Sequence, residues 1–221
     1  MNMAPKLIVM LTYHDVTVSN AKEIFLGAKD APASCWGFKN VGLPEDQMKD
    51  LVSCMHDAGK TVFLESLAKD EEGTLASVEQ AHRCGFDMLL GGTFFPSVVE
   101  KDVELGIKHL PFVGKRDGGK LYGTIDYIVS EAQRIASYPV FGINLSGYRY
   151  QDGDPDELIA KLAAALKKPL SIAGSIDSYA RLDAVRRNGV WSFTIGGAFF
   201  ENKFGNGFSE QISVVQAYLN R

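Results

Sequence analysis

Short apolar runs recur along this chain. Each follows a glycine that closes a stretch of helical spacing. Ala58-Gly59-Lys60 leads into Thr61-Val62-Phe63-Leu64-Glu65, and Cys84-Gly85-Phe86 into Asp87-Met88-Leu89-Leu90-Gly91. Leu105-Gly106-Ile107 leads into Pro111-Phe112-Val113-Gly114-Lys115, and Asn188-Gly189-Val190 into the last run. Glycine suits the left-handed residue that ends a helix. A brief apolar run bounded in this way reads as a strand buried on both faces. Their repetition at intervals of about 20–30 residues predicts βα units and a parallel sheet.

Eight strands are predicted: Lys6–Leu11, Ser34–Lys39, Thr61–Leu67, Met88–Gly92, Pro111–Lys115, Val140–Leu145, Leu170–Ala173 and Phe193–Gly196. The clearest helices between and after them are Glu45–Ala58, Thr74–Cys84, Thr124–Ala136, Asp156–Lys167, Ser178–Arg187 and Ser209–Leu219. Eight such units in 221 residues predict an α/β protein, a single (β/α)8 TIM barrel over residues 1–221. A doubly wound sheet would usually need fewer units and an interrupted strand order.

The last two strands each stop at glycine, in Ala173-Gly174-Ser175-Ile176 and Ile195-Gly196-Gly197-Ala198. Without Cβ atoms the backbone there is open to a ligand, and in such barrels this is a common place for phosphate. The motif pair resembles the phosphate-binding (β/α)8 barrels of the ribulose-phosphate-binding type. That resemblance implies phosphate binding at strands 7 and 8, by Gly174, Ser175, Gly196 and Gly197.

Composition changes this picture little. A 46% hydrophobic, 23% charged chain is ordinary for a folded domain with a sizeable core. The net charge of −4 weighs against a general nucleic-acid partner, which needs an excess of Lys and Arg. Cys35, Cys54 and Cys84 form no CxxC pair and read as reduced thiols of a cytoplasmic protein. Residues 1–11 are too short an apolar stretch for a secretory leader, and no segment is long enough to span a membrane. No His, Asp and Glu set has metal-ligand spacing, so neither a metal nor a cofactor is expected. A homodimer is left open.

Catalytic groups of a barrel sit at the C-terminal strand ends. Lys39 and Lys115 each close an otherwise apolar strand and Glu65 sits inside one, Val62-Phe63-Leu64-Glu65-Ser66-Leu67, where a charge needs a partner or a ligand. A lysine there serves as acid, base or nucleophile, and a Glu65–lysine ion pair of purely structural role is the alternative. His14 beside Asp15 is a candidate proton carrier. His56, His82 and His109 read as surface residues. Strand 6 and its end give Asn144, Ser146 and Tyr148 as candidate substrate contacts.

Gly142-Ile143-Asn144-Leu145-Ser146-Gly147-Tyr148 and Gly114-Lys115-Arg116-Asp117 are similar to segments of bacterial N-acetylmannosamine-6-phosphate 2-epimerases. Ala173 stands where those enzymes carry a catalytic glutamate. Gly59 to Glu65, with Lys69-Asp70-Glu71-Glu72-Gly73, resembles the glycerol-3-phosphate-responsive antiterminators. These resemblances imply a small phosphorylated ligand. Two readings follow: an enzyme that isomerises, epimerises or cleaves a sugar phosphate by lysine and carboxylate acid–base chemistry, or a non-catalytic sensor of the antiterminator kind.

Overall fold

The computed structural model of the chain describes residues 4–221. Eight parallel strands close into a barrel: β1 (Lys6–Met10), β2 (Cys35–Lys39), β3 (Thr61–Ser66), β4 (Met88–Thr93), β5 (Lys108–Phe112), β6 (Ile143–Leu145), β7 (Leu170–Ile172) and β8 (Ser192–Ile195). Each pairs with its sequence neighbours, and β8 closes on β1 with Lys6 opposite Ser192 and Val9 opposite Ile195. Helices α1 (Ala21–Ala28), α2 (Glu45–Asp57), α3 (Glu71–Cys84), α4 (Pro96–Leu105), α5 (Ile125–Ala136), α6 (Pro155–Ala165), α7 (Tyr179–Arg187) and α8 (Gly207–Leu219) follow the strands in turn. Among the described residues, no helix is long and apolar enough to cross a membrane.

Alternation along the strands builds two cores. Leu7, Val9, Trp36, Phe38, Val62 and Leu64 point outward and pack under the helices. Ile8, Met10, Cys35, Phe63, Met88 and Leu110 point inward and fill the barrel. The same alternation carries Lys39 and Glu65, which stand opposite each other on β2 and β3, to the inside of the upper rim.

The fifth strand departs from expectation. It runs from Lys108 to Phe112, three residues earlier than the predicted start at Pro111. Its first two residues, Lys108 and His109, are polar, which hid it among the connections. His109 is not on the surface but 2% exposed. Its Nδ1 lies 2.8 Å from Asp102 Oδ2 on α4 and its Nε2 lies 2.7 Å from the Gly91 carbonyl oxygen. These bonds satisfy a polar ring inside the sheet–helix layer. Past Phe112 the chain leaves the barrel at Gly114, whose φ of +77° suits glycine. It then forms a hairpin, Lys115–Asp117 with Lys120–Tyr122, over the barrel mouth.

Candidate active site

A cavity of about 420 Å³ opens at the C-terminal ends of the strands. Lys39 lies at its wall, 5% exposed, with Nζ 2.6 Å from Asp15 Oδ1 and 3.4 Å from Glu65 Oε2. Asp15 arrives there because β1 runs into a hairpin, Thr12–Tyr13 with Val16–Thr17. The hairpin turn is His14-Asp15, with φ of +48° and +62°, a two-residue turn with both positions left-handed. Thr17 ties the hairpin to β2: its Oγ1 donates to the Lys39 carbonyl at 2.8 Å and accepts the Lys39 N–H at 2.9 Å.

Arg149 completes this network. Its Nη2 lies 3.2 Å from Asp15 Oδ1, and its Nη1 lies 3.3 Å from Oδ2. Burial works to raise the Asp15 carboxyl, but the hydrogen bonds from Lys39 and Arg149 overcome it and hold the group at about 2. Asp15 is therefore an anion at neutral pH. Arg149 ends the 3-10 turn Gly147–Arg149. Residues three apart in such a turn share a side, so Ser146 and Arg149 both line the cavity.

Across the mouth, β7 and β8 end in the expected glycine pair. Gly174 and Ser175 have φ of +79° and +59°. The N–H groups of Ser175 and Ile176 meet no backbone acceptor among the described residues. Gly197 opens a short helical turn, Gly197–Phe200, and the N–H groups of Gly197 and Ala198 meet no backbone acceptor among the described residues. Gly174, Ser175, Gly196 and Gly197 all line the same cavity as Lys39. A Cβ on Gly174 would stand 2.7 Å from Arg149 Nε, so glycine there lets the guanidinium lie against this backbone.

Of the residues singled out from sequence, Lys39, Glu65, His14, Ser146 and the four phosphate candidates line the cavity. Lys115 does not. It is exposed on the hairpin and faces a separate depression beside α5. Alternation is the reason: Arg116 pairs with buried Leu121 and points in, which turns Lys115 out with Tyr122. Tyr148 also points away, giving its hydroxyl to Asp156 at 2.9 Å while Arg181 stacks on its ring at 4.7 Å. Asn144 lies inside the barrel, fully buried, on the strand that leads to the site but outside the lining.

Asp15, Arg116 and Arg149 were not among the expected site residues. Arg149 stands three residues after Ser146, a spacing that points to it once the 3-10 turn is known. Among the described residues, no group of three or more His, Cys, Asp or Glu side chains comes together as a metal set.

No family model and no curated protein matches this chain. Solved structures do. Orotidine 5'-phosphate decarboxylase from Pyrococcus horikoshii OT3 superposes with a TM-score of 0.72 at 16% identity, covering 97% of this chain and 99% of that one. N-(5'-phosphoribosyl)anthranilate isomerase from Pyrococcus furiosus gives 0.66 at 13% identity, covering 98% and 100%. A glycerol uptake operon antiterminator regulatory protein from Listeria monocytogenes gives 0.59 at 13%, covering 87% and 91%. At these identities the likeness shows the fold: the chain is a (β/α)8 barrel.

Proposed function

We propose that this barrel is an enzyme that binds a small phosphorylated metabolite at its C-terminal face and moves a proton on it, as an isomerase, epimerase or lyase of sugar phosphates does. The observation that carries this reading is the buried Lys39, shared by Asp15 and Glu65 at the wall of a cavity whose other side is the glycine-lined turn pair. Holding the buried charges of Lys39 and Glu65 at a cavity wall has a desolvation cost, and such costs are met most often at functional sites. Glu65 is the proton acceptor in this reading. Lys39, paired with two carboxylates, stabilises the oxyanion that forms when a carbon next to a carbonyl loses its proton. Asp15 and Arg149 orient Lys39. The phosphate lies against Gly174, Ser175, Gly196 and Gly197, with the Arg149 guanidinium beside it. Two of the similar structures carry phosphate in their names, orotidine 5'-phosphate decarboxylase and N-(5'-phosphoribosyl)anthranilate isomerase, which supports this ligand class. A sensor of the antiterminator kind calls for an empty, apolar mouth, and this one holds Lys39, Glu65, Asp15 and Arg149.

Solvent exchange tests the proposal. In D₂O the wild type should wash deuterium into the carbon beside the carbonyl of a phosphorylated ketose, with ribulose 5-phosphate and dihydroxyacetone phosphate as probes. Glu65→Gln should slow that exchange by about 10²–10⁴-fold, the usual contribution of a positioned base. Binding of these probes without exchange in the wild type would turn the reading to a sensor.

A further inference from the structure

The cations on the cavity wall are not equally paired. Lys39 has Asp15 and Glu65, Arg149 has Asp15, and Lys69 has Asp117. Arg116 makes no ion pair with a carboxylate of the described residues, and its Nη1 is buried without a hydrogen-bond partner. Its position is built rather than incidental. One flat face of the guanidinium lies on the Phe112 ring, with Cζ 3.7 Å from the ring centroid. The Phe112 ring in turn fills the space beside Gly91, where a Cβ would meet Phe112 Cε2 at 2.4 Å. The hairpin that carries Arg116 is bonded to the loop after β6, through Gln151 N–H to the Leu121 carbonyl at 2.9 Å and through Tyr150 Oη to the Gly123 carbonyl at 2.8 Å.

A half-buried guanidinium with free edge donors is costly unless an anion meets it. Burial pulls this one down to about 10, which still leaves it charged at neutral pH. Arg116 lines the cavity with Phe112 against its Cζ, and a guanidinium is a planar fork of N–H groups, the shape that takes a carboxylate in two bonds. The phosphate turns are elsewhere. Phe112 ends β5, and the glycine turns follow β7 and β8, two and three strands away around the barrel. At about 4.8 Å per strand those strand ends lie on the order of 10–14 Å apart. Lys39 and Glu65 line the same cavity.

We infer that the substrate carries two anionic groups: a phosphate on the β7 and β8 turns and a carboxylate on the edge of Arg116. The substrate class is a phosphorylated sugar acid or a similar phosphorylated short-chain acid. This rests on the phosphate reading above and adds the second end of the ligand.

Calorimetric titration with two matched pairs tests it: 3-phosphoglycerate against glycerol 3-phosphate, and 6-phosphogluconate against sorbitol 6-phosphate. Each pair differs by its carboxylate. In at least one pair the acid should bind about 10–100-fold tighter, the range of a charge-assisted hydrogen-bonded contact. Arg116→Gln should abolish that preference and leave the affinity of the polyol phosphate unchanged, and Arg116→Lys should lose most of it because the fork is gone. Melting curves of both variants check that the hairpin still folds. Equal affinities within both pairs, still weakened by Gly197→Asp, overturn the carboxylate and leave the phosphate site standing. Affinities indifferent to Gly197→Asp, or no binding by any of the four, overturn the phosphate site and the two-anion substrate with it. Fructose 1,6-bisphosphate binding tighter than 6-phosphogluconate through Arg116 overturns the carboxylate in favour of a second phosphate.

Discussion

Asp15 and Arg149 lie 134 positions apart in the chain and meet across the barrel mouth, each guanidinium Nη within 3.3 Å of one carboxylate oxygen. The pair joins the hairpin after β1 to the turn after β6. It also sets Arg149 against the Gly174 backbone. A lysine at position 149 would keep the charge and lose the fork. Arg149→Lys should weaken binding of a phosphorylated ligand by about tenfold or more, the worth of one charge-assisted hydrogen bond. Titration with ribulose 5-phosphate measures it, and unchanged affinity would leave Arg149 as a brace for the hairpin alone.

Acid stability reports the same pair. The Asp15 carboxyl sits at about 2 in the folded chain against an ordinary 3.8. The folded value is the lower, so the unfolded chain binds more protons between the two, and stability rises with pH there. The contribution is complete above about 4 and is lost as the pH falls through about 2. Asp15→Asn removes it. Melting temperatures taken between pH 4 and pH 2 should therefore fall more steeply in the wild type than in the variant. Parallel curves would mean that solvent screens the half-exposed carboxylate from Lys39 and Arg149.

Gly197 offers a clean probe of the phosphate turns. A Cβ there meets only Tyr13 Cδ2, at 3.9 Å, so a side chain fits. Gly197→Asp should leave the melting temperature nearly unchanged while its carboxylate repels a phosphate. The affinity for phosphorylated ligands should drop by about 10–100-fold, in line with losing hydrogen bonds to a charged group. An unchanged affinity in the folded variant places the phosphate elsewhere. Gly174→Ala is a poorer probe, because its positive φ and the Arg149 guanidinium at 2.7 Å would disturb the fold as well.

His109 and Asp102 hold β5 to α4 beneath the surface. His109→Leu leaves the buried Asp102 side chain without its hydrogen-bond partner, and a buried polar group left unsatisfied costs about 1–3 kcal/mol. Urea unfolding should show that loss in the single variant and recover much of it in His109→Leu with Asp102→Leu, where neither buried polar partner remains. Equal loss in both variants would assign the cost to packing instead.

The repeat is legible in the residues alone. Glycine-closed helices alternating with short apolar strands, eight times over at this length, fit a closed barrel, and the eight strands fall within or near the predicted runs, with β5 starting three residues earlier and β6 three residues later than expected. The glycines at positions 174, 196 and 197 were visible because a turn that bares its backbone needs that residue. Lys39 and Glu65 were visible because a charge at the end of an apolar strand has few other reasons to be there. Tertiary structure decided the rest. Lys115 and Arg116 are adjacent cations of similar appearance, and only the register of a three-residue hairpin turns one to the cavity and the other to solvent. Tyr148 and Arg149 are separated in the same way by a single 3-10 turn. Asp15 enters the site through a left-handed two-residue turn, and its partner comes from the far half of the chain. Periodicity reports which face of a long element is buried, whereas these side chains sit on segments of two or three residues, too short to carry a period. Their direction is set by what they pack against.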